Sequence, residues 1–168
     1  MISYRLPFPV GNIMKTILGI DPGASGALAF YDQSDLIIYD MPVHEITKGK
    51  SKRKRFDPYG MKAILEGNHC DHAFIEQVSA QPGNGASAAF TYGWMCAGIE
   101  CCLAMAGIPF TYVTPQKWKK ELSVPKDKDA ARMRASQLLG DHAHNWPLRK
   151  HDGRAESSLI ALYGMRSL

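Results

Sequence analysis

The chain has 168 residues, a net charge of +4 and a hydrophobic fraction of 45%, which is the size and make-up of one ordinary globular domain with a real core. That composition excludes a disordered, collagen-like or disulfide-stapled chain, and the modest positive excess permits a nucleic-acid partner without requiring one. Residues 1–13 lack the charged start and apolar centre of a secretion signal and read as an extension of little consequence, leaving residues 14–168 as a single domain.

In chain order, residues 16–20 form a short apolar strand closed by the turn Asp21-Pro22-Gly23. Residues 27–31 and 36–39 read as a second and third strand, and the short connections between them predict antiparallel hairpins. The polar stretch 44–57 is read as an exposed loop; it carries six basic residues, Lys48, Lys50, Lys52, Arg53, Lys54 and Arg55. A helix follows over 58–66, with Met61, Ile64 and Leu65 on one face. Residues 73–75 form a strand leading to Glu76, and 79–85 is a loop rich in Pro, Gly, Ser and Asn. The small-residue, apolar stretch 86–106 predicts a buried helix, with Phe90, Tyr92 and Trp94 packed in the core. A strand at 110–113, a short helix opened by Thr114-Pro115, a surface helix over 127–139 and a helix over 152–163 complete the chain. No apolar run long enough to span a membrane is expected, and the location expected is the cytoplasm.

The four cysteines, Cys70, Cys96, Cys101 and Cys102, form no CxxC pair. They read as buried free thiols of a reducing compartment, not as zinc ligands. The element order, three antiparallel strands and then strands alternating with helices, indicates an α/β domain with a mixed central sheet.

Acids stand where chemistry would use them. Asp21 ends the first strand, Glu76 ends the strand at 73–75, and Asp152 and Glu156 lie four residues apart on one face of the last helix. Each also has a purely structural role open to it: a turn initiator, an N-cap, a surface acid. Were all four to converge they would repel unless divalent cations sat among them, and hard oxygen ligands suit Mg²⁺ or Mn²⁺.

Four segments resemble those of RuvC-type Holliday-junction resolvases, members of the ribonuclease H-like superfamily. Leu18-Gly19-Ile20-Asp21-Pro22-Gly23-Ala24-Ser25-Gly26-Ala27 is similar to the family's first-strand motif. Phe74-Ile75-Glu76-Gln77-Val78 resembles the second, Val113-Thr114-Pro115-Gln116-Lys117-Trp118-Lys119-Lys120 the segment with a basic active-site residue, and Asp152-Gly153-Arg154-Ala155-Glu156-Ser157-Ser158-Leu159-Ile160-Ala161 the last, an acidic pair opening a helix. They occur in the family's order and span residue 14 to the C-terminus. The resemblance implies a ribonuclease H-like fold and a metal set of Asp21, Glu76, Asp152 and Glu156 holding two Mg²⁺ ions, with Mn²⁺ as a substitute. It further implies Lys119 as the catalytic lysine, with Lys117 next in line, and a homodimer nicking a four-way junction symmetrically to leave 5′-phosphate and 3′-hydroxyl ends. Neither a nucleotide cofactor nor a membrane is implied.

This sequence departs from the family at the last motif, where the acidic pair is commonly three residues apart. That position here is Gly153, so Asp152 serves from four residues away and His151 is a second candidate. The family's junction-wedging aromatic position falls on Ser79. DNA contacts are expected from Lys50, Lys52, Arg53, Lys54, Arg55, Lys117, Lys126 and Lys128, and from Gln81 and Asn84 in the loop after Glu76. Three readings compete: a nuclease for flaps, forks or RNA–DNA hybrids; a junction-binding protein without catalysis; and a nucleotide-hydrolysing domain of the sugar-kinase and actin type. The last needs a second domain for which this length has no room.

Overall fold

The computed structural model describes residues 15–49, 51–77 and 85–168. The expectations for residues 1–13, Lys50, Gln81 and Asn84 lie outside the described residues. Seven strands and five α-helices follow in the order β1 (Ile17–Asp21), β2 (Ala27–Tyr31), β3 (Leu36–Asp40), β4 (Val43–Lys48), β5 (Ser51–Phe56), α1 (Pro58–Gly67), β6 (His72–Glu76), α2 (Ala86–Met105), β7 (Phe110–Val113), α3 (Pro115–Glu121), α4 (Lys128–Leu138) and α5 (Asp152–Ser167). Five strands form one mixed sheet in the order β3-β2-β1-β6-β7. β1 runs antiparallel to β2 and parallel to β6, and β6 runs parallel to β7. The expected mixed α/β architecture is present.

Alternation along the central strands sorts their side chains onto two faces. Ile17 of β1 and Phe74 of β6 join a core built with Trp118 of α3, Ala131 and Ala135 of α4 and Leu159 and Ile160 of α5. Leu18, Ile20, Ala73 and Ile75 join the opposite core, with Met61 of α1 and Met95, Ile99 and Leu103 of α2. The sheet is therefore buried between two helical layers, as its parallel part requires.

One helix lies unusually close to the sheet. A Cβ on Gly19 would stand 2.1 Å from the Ser157 carbonyl oxygen, and one on Gly153 would stand 2.4 Å from that of Ser25 and 2.7 Å from the Gly26 Cα. Backbone thus meets backbone where α5 crosses β1 and where its first turn meets the β1–β2 connection. Arg154 ties the same end of α5 to β3, its guanidinium donating to both Asp40 oxygens at 2.6 and 2.7 Å.

Two expectations are corrected. The basic stretch is not a loop but the hairpin β4–β5, paired from Val43↔Phe56 to Lys48↔Ser51 and turned at Gly49 with φ +63°. It stands on α2, where Phe56 packs against Gly98 and Arg55 stacks 3.5 Å over the Trp94 ring. The second correction is α2 itself, which buries only one row, Met95, Ile99 and Leu103. Phe90 is 74% exposed and Trp94 45%, so neither is a core residue. By length and composition α2 is just apolar enough to pass for a membrane span, but its buried row packs on the sheet. All four cysteines are free, Cys70 buried as expected and Cys101 exposed. Two 3₁₀ turns, Gly140–Asn145 and Arg149–His151, join α4 to α5, so that His151 and not Asp152 is the N-cap of α5.

The close approach of α5 makes a prediction. Gly153→Ala runs into the Ser25–Gly26 backbone and should lose about 2 kcal/mol or more in urea unfolding. Gly93→Ala in α2, with open space around it, should be neutral or slightly stabilising.

Candidate active site

Asp21 and Glu76 come together through strand parity. Ile20 pairs with Ile75 across the parallel β1–β6 ladder, so the next residue on each strand is an acid at the carboxyl edge of the sheet. Odd-numbered positions of β1 and even-numbered positions of β6 face α3 and α5, which puts both carboxylates on that face. Ligand sites of open α/β sheets gather at this edge.

Glu76 is buried, and its Oε1 accepts a 3.0 Å hydrogen bond from the Trp118 indole. Burial and the neighbouring Glu156 push its pKa up, while the Trp118 hydrogen bond and Lys119 pull it down. Asp21 keeps a partial opening to solvent but is otherwise enclosed by protein. Burial, then the charges of Glu156 and Glu76, raise its pKa well above the usual carboxylate range against the pull of Lys119 and Lys128. Both shifts have the same physical cause: carboxylates crowded together in a place where water screens them poorly.

Glu156 and Asp152 reach this edge from the first turns of α5, each with a side chain 19% exposed. Glu156 is salt-bridged to Lys119 of α3 at 2.8 Å. Asp152 faces Lys128 and Arg132, each at 3.4 Å. The resemblance places an acid at position 153, and the structure explains its absence: that position faces the Ser25–Gly26 backbone and has no room for a side chain. Asp152 therefore points along the face it shares with Glu156. His151, the other candidate, stands apart. Its Nδ1 accepts from the Leu148 amide at 3.4 Å, and its charged neighbours are Arg154, Lys150, Asp40 and Arg132, not the other acids.

The structure thus brings Asp21, Glu76, Glu156 and Lys119 into one electrostatic cluster, with Asp152 beside it in the hands of α4. Among the described residues, no three His, Cys, Asp or Glu side chains stand close enough to hold a metal ion as they are. The donor chemistry nevertheless fits a hard divalent cation, since every acid offers carboxylate oxygens and Lys119 and Lys128 offset their mutual repulsion at Asp21 only in part.

The other sequence candidates are spread more widely. Lys117 and Lys126 are exposed near this edge on α3 and the α3–α4 connection, whereas Lys128 is committed to Asp152. On the hairpin, Lys52 pairs with Glu45 at 3.2 Å and Arg55 is held by Trp94. Arg53 and Lys54 line a groove of about 670 Å³ that runs past Gly23 and Ala24 to α2. Trp118 and Arg132 were not singled out from sequence. Trp118 sits in the matched third segment, but nothing local to Arg132 signals its partner twenty residues on.

No sequence model of a protein family matches the chain, and no curated protein matches it. Structure does. Over 91% of this chain and 94% of the other, it superposes on Thermus thermophilus RuvC in complex with a Holliday junction substrate, with a TM-score of 0.60 at 15% identity. A second Thermus thermophilus RuvC structure matches with a TM-score of 0.56 at 19% identity, covering 90% and 95% of the two chains. The chain has the RuvC fold. The likeness extends over about nine-tenths of the chain and agrees with the ribonuclease H-like fold expected from the motifs.

The crowding at Asp21 has a measurable consequence. An acid whose pKa is raised by folding opposes folding at pH values above its unfolded pKa, and the penalty fades as pH falls through the folded value. Asp21→Asn in EDTA should therefore raise the melting temperature by a few degrees at pH 8, with a smaller gain at pH 5.

Proposed function

We propose that this protein is a divalent-metal-dependent endonuclease acting on branched DNA, with the four-way junction as its substrate. The observation that carries the reading is the placement of Asp21 and Glu76 on neighbouring parallel strand ends, within reach of the charges of Glu156 and Lys119. The Thermus thermophilus RuvC structure that superposes on the chain holds a Holliday junction substrate, and we extend that substrate class to this chain.

Asp21, Glu76 and Glu156 would hold Mg²⁺, with Asp152 completing the set from the same face of α5. When bound, such ions supply an activated water and stabilise the leaving oxygen of a phosphodiester. The chain's own groups do the rest. Trp118 fixes one oxygen of Glu76 and leaves the other available to a cation. Lys119, salt-bridged to Glu156, puts a cation beside the acids, where it can neutralise charge building on the phosphate under attack. Lys128 and Arg132 steady Asp152. Arg53 and Lys54 flank the approach and add sequence-independent phosphate affinity.

Paired nicks need two active sites, and α2 supports self-association. Phe90, Trp94, Ala97, Cys101 and Ala104 recur at spacings of four and three on its exposed side, the pattern of a helix that packs on another helix. A second copy of the chain is the occupant that a symmetric reaction requires.

The decisive experiment is cleavage of a labelled four-way junction against matched duplex, single strand, flap, fork and RNA–DNA hybrid, with Mg²⁺ and with EDTA. Symmetric, metal-dependent nicks confined to the junction are expected. Asp21→Asn should cut at least about 100-fold more slowly while binding the junction as well as the wild type does. Preference for flaps, forks or hybrids would change the substrate, and tight binding with no cutting would replace the nuclease by a binding protein.

The self-association surface is tested separately. Ala97→Glu places a charge in the middle of the exposed row and should shift the sedimenting species from dimer to monomer without lowering the melting temperature of the isolated subunit. A wild-type chain that sediments as a monomer at tens of micromolar would remove α2 from the reading.

A further inference from the structure

Both oxygens of Asp152 are engaged by α4. Oδ1 lies 3.4 Å from Nη1 of Arg132, and Oδ2 lies 3.4 Å from Nζ of Lys128. Each is a loose ion pair, longer than a close charge-assisted hydrogen bond. Arg132 has a second carboxylate at hand, since its Nη2 meets Asp129, one turn back on α4, at 3.0 Å. The guanidinium thus stands between two acids and is nearer the one on its own helix. Lys128 is mostly exposed, so little fixes its position.

The space around this hold is closed. Lys128, Ala131, Arg132, Asp152, Ala155 and Glu156 line a crevice between α4 and α5 that has no room for a water molecule. Mg²⁺ takes an octahedral shell of oxygens and keeps several waters in it, which that crevice cannot contain. For Asp152 to join Glu156 in such a shell, the α4 side chains have to swing out. Arg132 has a place to go, on Asp129, while Ala131 and Ala135 stay packed in the core and keep the helix where it is. The movement required is one of side chains, not of helices.

An anion would draw the two cations off. Lys126 is exposed just ahead of α4, and a DNA phosphate beside the acids offers Arg132 and Lys128 a partner with several charged oxygens. We propose that Arg132 is a positioning residue: it withholds Asp152 from the divalent cation in the free protein and gives it up when DNA supplies another anion. The inference rests on the metal-dependent, DNA-cutting role proposed above and adds a coupling to it. DNA and the cation then strengthen each other's binding by the same factor, and the acids are completed only where there is a strand to cut.

Arg132→Gln and Asp129→Asn test this, because they push the balance in opposite directions. Mn²⁺ binding is read from the EPR signal of the free ion, without DNA, so that no turnover enters the measurement. Arg132→Gln should bind Mn²⁺ about tenfold more tightly than the wild type. Asp129→Asn, which leaves the guanidinium wholly to Asp152, should bind it more weakly. With Asp152→Asn in the same chain both differences should vanish, since the contested carboxylate is gone. Four-way-junction binding, followed by fluorescence anisotropy in Ca²⁺ and in EDTA, reads the coupling from the DNA side: the cation should raise the affinity of the wild type more than that of Arg132→Gln.

An Arg132→Gln protein that binds Mn²⁺ no more tightly than the wild type overturns the proposal. So does a gain that survives Asp152→Asn, the mark of a charge acting at a distance. If the melting curve shows that Arg132→Gln does not fold, Asp129→Asn decides, and an unchanged Mn²⁺ affinity there overturns the proposal. Opposite shifts in a protein that cuts no DNA would refute the nuclease reading and leave the contest for Asp152 standing. A protein that cuts junctions, with Mn²⁺ binding indifferent to both substitutions, would do the reverse.

Discussion

The arrangement of this molecule depends on the contact between α5 and the first hairpin. Helices ordinarily pack on sheets with side chains between them, but at Gly19 and Gly153 the separation is set by main-chain atoms alone. Three things follow from that short distance. The start of α5 is brought over the carboxyl edge of the sheet, its angle is fixed by the Arg154–Asp40 ion pair, and the acids on its first two turns face the acid that ends β1. A side chain at either glycine would lift the helix and separate the two halves of the site. The small residues there are a requirement of the site's geometry, imposed through packing.

Bringing like charges together carries an electrostatic cost, and the structure offsets it unevenly. Glu156 and Asp152 each have cations in reach, and Glu76 has an indole donor. Asp21 has no such partner among the described residues, and burial with the charges of Glu156 and Glu76 raises its pKa well above the usual carboxylate range. Strain of this kind is tolerable because two helical layers with separate cores hold the sheet from both faces. The fold's stability resides in the layers, and the edge is where it is given up.

Much of this could be read from the sequence, for identifiable reasons. The five sheet strands are short apolar runs bounded by turn residues, and their order of appearance gave the mixed sheet. Asp21, Glu76 and Glu156 announced themselves as acids at the ends of such runs. What escaped had no local signature. The hairpin β4–β5 was hidden because its positions are filled with Lys and Arg, so that only the cross-strand pair Val43 and Phe56 marks the apolar side. The exposure of α2 was hidden because the helix is apolar or small all the way round, and a helix without a polar face gives no clue to which side meets the sheet. Trp118 and Arg132 matter through partners 42 and 20 residues away in the sequence (Glu76 and Asp152), and pairings at that range emerge only once the chain is folded. The shift of the last acid from position 153 to 152 was visible as an irregularity, but its reason was a backbone collision that no spacing rule contains.

Strand parity sets a different limit on how this protein can change. Since Asp21 and Glu76 share a face only because each follows the last paired residue of its strand, gaining or losing a single residue within β1 or β6 would turn one carboxylate toward the α1–α2 layer. Replacing one apolar residue by another in these strands leaves the acids where they are. Descendants of this sequence can therefore drift freely in the composition of the two strands while their lengths stay frozen, and insertions should accumulate instead in the connections that leave the sheet.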